Sequence, residues 1–273
     1  MKISYGKLRV PLQRVTAHAD GRHDLLACEV GVEVLGENFR AAYTEGDNRE
    51  VVATDTMKNF ILQESLAYEG GTLEGLLAHL GRGFLATYPV MQAVRMTGRE
   101  LRFDRLSDTL FARERGDHAV ATVELDENGI RDQRSGRADL WLLKVTGSAF
   151  TRFARDEYTT LPERVDRPLF VRMDVFWRYA DPAEAEADDE RHVDPGELRA
   201  ELAATFDAFV SESIQHLVHE MGTRVLARWE QLSEVRFEAE NHTRDPAGED
   251  GDRKLYTDPF PAQGLITLTM GRG

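Results

Sequence analysis

Between His23 and Gly36 the run HDLLACEVGVEVLG is dense in apolar and β-branched side chains and predicts a strand. The next segment, ENFRAAYTEGDN, alternates in character up to a turn-like Gly46, Asp47 and Asn48, so the two runs are expected to form a strand pair. From Thr54 the spacing changes: Met57, Phe60, Ile61 and Leu66 suit a helix, with Asp55 where a negative charge favours the N-terminal dipole. Leu73, Leu76, Leu77, Leu80 and Phe84 then recur at helical spacing and predict a second helix. Strands are predicted at Val90 to Gly98, His118 to Leu125 and Asp139 to Gly147, each bounded by Gly or charged turns, and again in PLFVRMDVFWRY after Arg167. A helix begins near Pro195, with Leu198, Leu202, Phe206, Phe209 and Val210 on one face. Another begins near Ser213, where Ile214, Leu217, Val218 and Met221 continue an apolar stripe and Ser211 and Ser213 can cap.

The order strands, two helices, strands thus occurs twice with almost no residue identity between the occurrences, a repeat of pattern rather than of sequence. The acidic stretch Asp181 to Glu190 and the segment Arg244 to Lys254 read as solvated connectors, and no other gap is long enough for a linker. One body with two pseudo-equivalent halves, 1–136 and 137–273, is the simplest organisation.

Charge narrows the classes of partner. The 34 Lys plus Arg against 48 Asp plus Glu leave a formal net charge of −14, which repels polyphosphates, so nucleic acid is not expected. Cys28 is the only cysteine, which excludes an intrachain disulfide and a cysteine-held metal centre. The first ten residues lack the apolar stretch of a signal peptide, no window reaches the ~18 apolar residues of a membrane span, and the final Gly271, Arg272 and Gly273 are no peroxisomal address. A cytoplasmic protein without a membrane partner is the expectation.

Chemistry enters with short strings in a fixed order: YGK at Tyr5 to Lys7, VVATDTMKN at Val51 to Asn59, RDEYTTLPERVDR at Arg155 to Arg167, SIQ at Ser213 to Gln215, VLAR at Val225 to Arg228, Asn241, and the closing GLITLTMGR. Together they cover almost the whole chain, and in order and spacing they resemble the urate oxidase (uricase) family. The resemblance implies an α+β tunnelling fold in which each half contributes an antiparallel sheet with two helices on its outer face. It further implies a homotetramer whose subunits close a β-barrel with active sites at their interfaces, with Lys7 and Thr54 from one subunit and Phe150, Arg167, Gln215 and Asn241 from its neighbour. The implied activity is the cofactor-free oxidation of urate by dioxygen and water to 5-hydroxyisourate and hydrogen peroxide.

The residue types suit that chemistry. Arg167 offers a planar fork for two acceptors on one edge of a flat purine anion, and Gln215 carries the acceptor and donors that read the opposite edge. Ile214 and Gln215 stand at a helix start, where backbone N–H groups lack intrahelical partners and suit an anion; Thr54 and Asp55 hold the matching place in the first half. Phe150 resembles the family's stacking phenylalanine. Lys7 resembles its catalytic lysine, which with Thr54 forms a proton-handling pair. The bland alternatives are a surface salt bridge for Arg167, a core Phe150, a solvated Gln215, a helix cap at Thr54 and an exposed terminal Lys7.

One departure stands out. In many enzymes of the family the third catalytic group is a histidine two residues after the binding asparagine, whereas this chain reads Asn241, His242, Thr243. A one-residue displacement in a strand turns a side chain to the opposite face, so His242 could serve in catalysis only through a bulge or loop, and a solvated His242 is the expectation. His216 and His219 are three apart with Glu220 beside them, but no third ligand emerges and no metal site is expected. A non-catalytic purine-binding protein of the same fold, and a pterin-type enzyme of a related one, remain as alternatives.

Overall fold

A computed structural model describes residues 2–187, 189–259 and 262–272; Met1, Asp188 of the acidic stretch, Phe260, Pro261 and the final Gly273 lie outside them. The chain divides into two units, one formed by Met1–Gly136 with Arg178–Val193 and the other by Arg137–Trp177 with Asp194–Gly273.

The first unit contains strands β1 (Ser4–Ala17) and β2 (His23–Leu35), helices α1 (Arg40–Thr44), α2 (Thr54–Ala67) and α3 (Leu73–Thr87), then β3 (Ala93–Glu100), the short pair β4 (Phe103–Arg105) and β5 (Phe111–Arg113), and β6 (His118–Asp126). Its sheet runs β1-β2-β3-β6, antiparallel throughout. Strand β7 (Gly129–Lys144) leads into the second unit. There β8 (Leu169–Tyr179) precedes α4 (Pro195–Ala208), α5 (Ile214–Arg228) and β9 (Leu232–Asn241), followed by β10 (Pro246–Asp250), β11 (Arg253–Tyr256) and β12 (Gly264–Gly271). The sheet order in this unit is β8-β9-β12.

Each unit buries one sheet face beneath its two long helices. In the first, Val30, Val32, Val34, Met96, Val123 and Leu125 meet Met57, Ile61, Leu76, Leu77, Leu80 and Phe84, all essentially inaccessible to water. In the second, Leu198, Leu202, Leu217, Met221 and Val225 are buried on the helices, and Val171, Met173, Val175, Val235 and Phe237 on the strands. Each such side chain contributes about 1.5–3 kcal/mol on burial, so the helical stripes and the strand alternation stabilise the same two layers. The repeat extends to length: α2 and α4 have 14 residues each, and α3 and α5 have 15. Gly81 and Gly222 occupy the same ninth position of the 15-residue helices. A Cβ at Gly81 would meet Leu125 at 2.5 Å, and one at Gly222 would meet Met270 at 2.5 Å, so both mark where helix approaches sheet most closely.

Four expectations need correction. Residues 37–48 form the short α1 and coil rather than a strand, because Phe39 is buried against the edge of the Tyr5 ring (centroids 4.8 Å apart) and Tyr43 Oη donates to the Ser4 carbonyl at 2.6 Å. The partner of β2 is instead β1, whose alternation is interrupted by a bulge between Lys7 and Val10 with Arg9 at φ 55°. Helix α4 stops at Ala208, leaving Phe209 extended and Val210 exposed; the Lys144 ammonium binds the carbonyls of Phe206, Asp207 and Phe209 and closes its C-terminus. The segment 244–254 is the β10–β11 hairpin, solvated on both faces, and within the acidic stretch Pro182–Glu186 forms a 3-10 turn that buries Ala185.

Candidate active site

In the second unit a cavity of about 150 Å³ is lined by Phe150, Leu161, Arg167, Ile214, Gln215, Asn241, Thr243, Gly264 and Ile266. It is well below the ~300–1,000 Å³ of a pocket for a drug-sized ligand, which suits a bicycle of purine size. Five segments distant in sequence converge on it.

Local chemistry fixes each wall. The buried hydroxyls of Ser148 and Ser211 hydrogen-bond at 3.1 Å, and Ala149 N donates to Ser211 O at 2.8 Å, tying the loop after β7 to the chain just before α5. Arg167 N donates to Ser148 O at 2.8 Å, and Phe150 exchanges both backbone bonds with Arg164 at 2.7 and 2.9 Å. Beside Arg167, the Asp166 carboxylate accepts from Gly147 N at 2.8 Å and from the Thr146 hydroxyl, and these bonds hold its pKa below the usual aspartate value. Helix α5 is capped by Ser213, whose Oγ accepts from His216 N at 3.0 Å; Ile214 and Gln215 are therefore its first residues, and their amides lack intrahelical acceptors. Ser211, expected as a second cap, is used in the Ser148 bridge instead. Asn241 ends β9 opposite Gly264.

Arg167 is the electrostatic centre of the cavity. Among the described residues its guanidinium makes no ion pair, its Nε is buried without a partner, and its Cζ lies 5.5 Å from the centre of the Phe150 ring. Burial, and secondarily the like charge of Arg164, depress its pKa. A half-buried guanidinium left uncompensated in a chain of net charge −14 favours an anionic ligand presenting two acceptors.

Lys7, Thr54 and Asp55 form a group of their own in the first unit. Gly6 lets β1 lie against β2, since a Cβ there would sit 1.9 Å from the Val32 carbonyl oxygen. The bulge after Lys7 re-aims the strand beside it. Tyr5 Oη accepts from Val52 N at 3.0 Å, which docks the approach to α2 on this strand. The cap position of α2 falls on Ala53, with no side-chain cap bond, so Thr54 is the first helical residue rather than the cap. Asp55 pairs with Lys58 at 2.6 Å; that bond chiefly, with a smaller contribution from the charge of Lys7, lowers its pKa.

His242 is not solvated: it is only 9% exposed. Val235, Phe237 and Ala239 are buried toward the helices, so Asn241 shares their face and His242 turns to the reverse one, outside the lining of the cavity. There it packs on Trp141 and Phe170. Thr243 returns to the cavity side. His216 packs against Phe209 at 5.0 Å, and among the described residues no group of three or more His, Cys, Asp or Glu is placed to hold a metal ion. Leu161, Gly264 and Ile266 fall inside the quoted strings but were given no role there, and the Ser148–Ser211 bridge was not expected, because apolar lining and loop anchors carry no chemistry that marks them in a sequence. A larger cavity of about 830 Å³, lined by Arg82, Pro89, Asp126 and Asn128 among others, lies in the first unit and gathers none of the expected residues.

A sequence model of the uricase family matches positions 3–128 and 133–256. A uricase of Haloferax volcanii is 41% identical over 99% of this chain and 98% of its own length. Among solved structures, the urate oxidase of Bacillus sp. TB-90 superposes with a TM-score of 0.93 at 34% identity, covering 99% of this chain and 100% of that one. The uricase of Arthrobacter globiformis superposes with a TM-score of 0.88 at 29% identity, covering 100% and 94%.

Proposed function

The chain belongs to the uricase family and is a urate oxidase, and from that premise we propose that its cavity in the second unit holds the urate anion for a reaction that needs no cofactor. The observation that carries this assignment is the convergence of Phe150, Arg167, Ile214, Gln215 and Asn241 on one small cavity. Arg167 grips an oxygen and ring nitrogen of urate with two donors, Gln215 pairs with the opposite edge, the amide of Ile214 meets the anion, and Phe150 stacks on the ring.

Urate itself is the electron donor. It gives two electrons to dioxygen, and water adds to the oxidised ring, its hydroxyl remaining on carbon while protons leave. Dioxygen with two electrons and two protons becomes hydrogen peroxide, and the ring becomes 5-hydroxyisourate. The protein's task is placement and charge stabilisation. Lys7 and Thr54 manage the protons, with the amide of Asp55 aimed at the ligand, and dioxygen reacts above the ring near Asn241. Thr243, whose hydroxyl-bearing side chain lines the same cavity, takes with water the third place in the relay.

Lys7 and Thr54 reach the cavity of a neighbouring subunit in a homotetramer. Supporting this are the two outer strands, β1 in the first unit and β12 in the second, which leave backbone edges free and expose Leu8, Val15 and Leu265. Pairing such edges between subunits closes sheets into a barrel and removes the hazard of open edges. The proposed setting is the cytoplasm; among the described residues no helix is long and apolar enough to cross a membrane.

The test is stoichiometric. Chelator-treated protein should consume urate and dioxygen and release peroxide in equal amounts, followed by loss of urate's ultraviolet absorbance together with peroxide and oxygen electrodes. Turnover that stops on metal removal and returns with added metal would overturn the cofactor-free reading.

A further inference from the structure

The reverse face of β9 carries a second constellation, directly behind the cavity. The His242 ring lies 4.6 Å from Trp141 and 5.9 Å from Phe170, centre to centre, in a slot built by β7 and β8. Its backbone N–H donates to Phe170 O at 2.9 Å, extending the β8–β9 ladder one residue past the end of β9. The pairing with β12, by contrast, ends at Asn241 opposite Gly264. Among the described residues, the backbone bond at His242 is the one to β8.

Glu240 completes the grip. Its Oε2 lies 3.3 Å from His242 Nε2, and its Oε1 accepts from Arg172 Nη1 at 3.4 Å. Arg172 also binds Asp139 at 3.2 Å and Asp174 at 3.0 Å, and Asp139 accepts from Trp141 Nε1 at 2.9 Å. Residues 240 and 242 are thus clamped on one face while their neighbours, Asn241 and Thr243, line the cavity on the other.

We infer that His242 is a positioning residue for urate oxidation: wedged between Trp141 and Phe170, it fixes the end of β9 so that Asn241 and Thr243 face the bound purine, and it exchanges no proton with the substrate. This rests on Asn241 having the place at the dioxygen side proposed above. The ring's shape carries the effect, and its acid–base chemistry does not. Arg167, Gln215 and Phe150 are anchored independently through Ser148, Ser211 and Ser213. Loosening the strand end therefore acts on turnover more than on urate binding.

Steady-state kinetics across pH on four variants test this. His242→Phe keeps the ring and removes its proton chemistry; kcat is expected within about threefold of wild type, with an unchanged pH profile. His242→Ala empties the slot and should lower kcat by roughly tenfold or more, as expected when a reacting geometry is misplaced, with urate KM within about twofold. Trp141→Ala, which removes a wall that is 41% exposed, should give the same split and serves if His242→Ala fails to fold. A His242→Phe enzyme that loses kcat ~100-fold or shifts a pH limb would make His242 a proton carrier and overturn the inference. Wild-type kcat in both His242→Ala and Trp141→Ala would also overturn it. Asn241→Ala separates the two levels: wild-type kcat there refutes the place given to Asn241, whereas a slow Asn241→Ala beside a fast His242→Ala refutes only the positioning role.

Discussion

Replacing Arg167 with Ala should damage function and leave stability almost untouched, an unusual combination for a half-buried arginine. In the free protein its guanidinium makes no ion pair among the described residues, its Nε lacks an acceptor, and Arg164 adds like-charge repulsion. What the substitution removes is the contact over the Phe150 ring at 5.5 Å, about 0.5–1 kcal/mol, and relief of the repulsion offsets it. The backbone bond to Ser148 survives in alanine. The melting temperature should therefore move by less than ~3 °C. Binding is another matter, because two charge-assisted bonds to urate at ~1.5–3 kcal/mol each give about 3–6 kcal/mol, or roughly 10²- to 10⁴-fold in kcat/KM. Urate kinetics and a thermal melt on one preparation decide it. Activity within threefold of wild type, or a melting temperature lowered by more than ~8 °C, would show that Arg167 is structural and the reasoning wrong.

Gly6→Ala places a Cβ 1.9 Å from the Val32 carbonyl; overpacking of this kind costs ~1–3 kcal/mol or more, so a lowered melting temperature together with reduced turnover through the neighbouring Lys7 is expected, and an unchanged melt would contradict it. Burial pushes the Cys28 thiol up to about 12 from 9.0. The folded state therefore holds its proton where the unfolded chain has lost it, and the resulting stabilisation is complete below about pH 9 and falls as pH rises toward 12. Cys28→Ala should flatten that alkaline loss in melts from pH 8 to 11, and in the native protein thiol reagents should react only on unfolding. A net charge of −14 opposes the compact state through self-repulsion, so raising KCl toward ~1 M, where the Debye length is ~3 Å, should raise the melting temperature; a flat or falling curve would argue that the charges are already locally compensated.

Much of the architecture was legible from periodicity, and its exceptions have local causes. The long helices and the buried strands announced themselves because each presents one apolar face, as in Val235, Phe237 and Ala239 of β9. Strand β1 did not, since only Val10 and Leu12 are buried and a bulge with Arg9 in the left-handed region breaks its alternation. The β10–β11 hairpin, exposed on both faces, has no periodicity to read. In the cavity, Arg167, Gln215, Phe150 and Asn241 were legible through short motifs, and their convergence required the fold. The position of His242 turned on face rather than identity: alternation along RFEAENH already sets it opposite Asn241, but the slot of Trp141 and Phe170 that buries it comes from strands distant in sequence.

A structure of the protein with a non-oxidisable purine analogue tests the central claim most directly. The analogue should lie in the 150 Å³ cavity, one edge on the Arg167 fork, the other on Gln215, its face on Phe150 and the space beside Asn241 open to dioxygen. Finding it instead in the larger cavity near Arg82 and Asp126, with Arg167 and Gln215 untouched, would contradict the account.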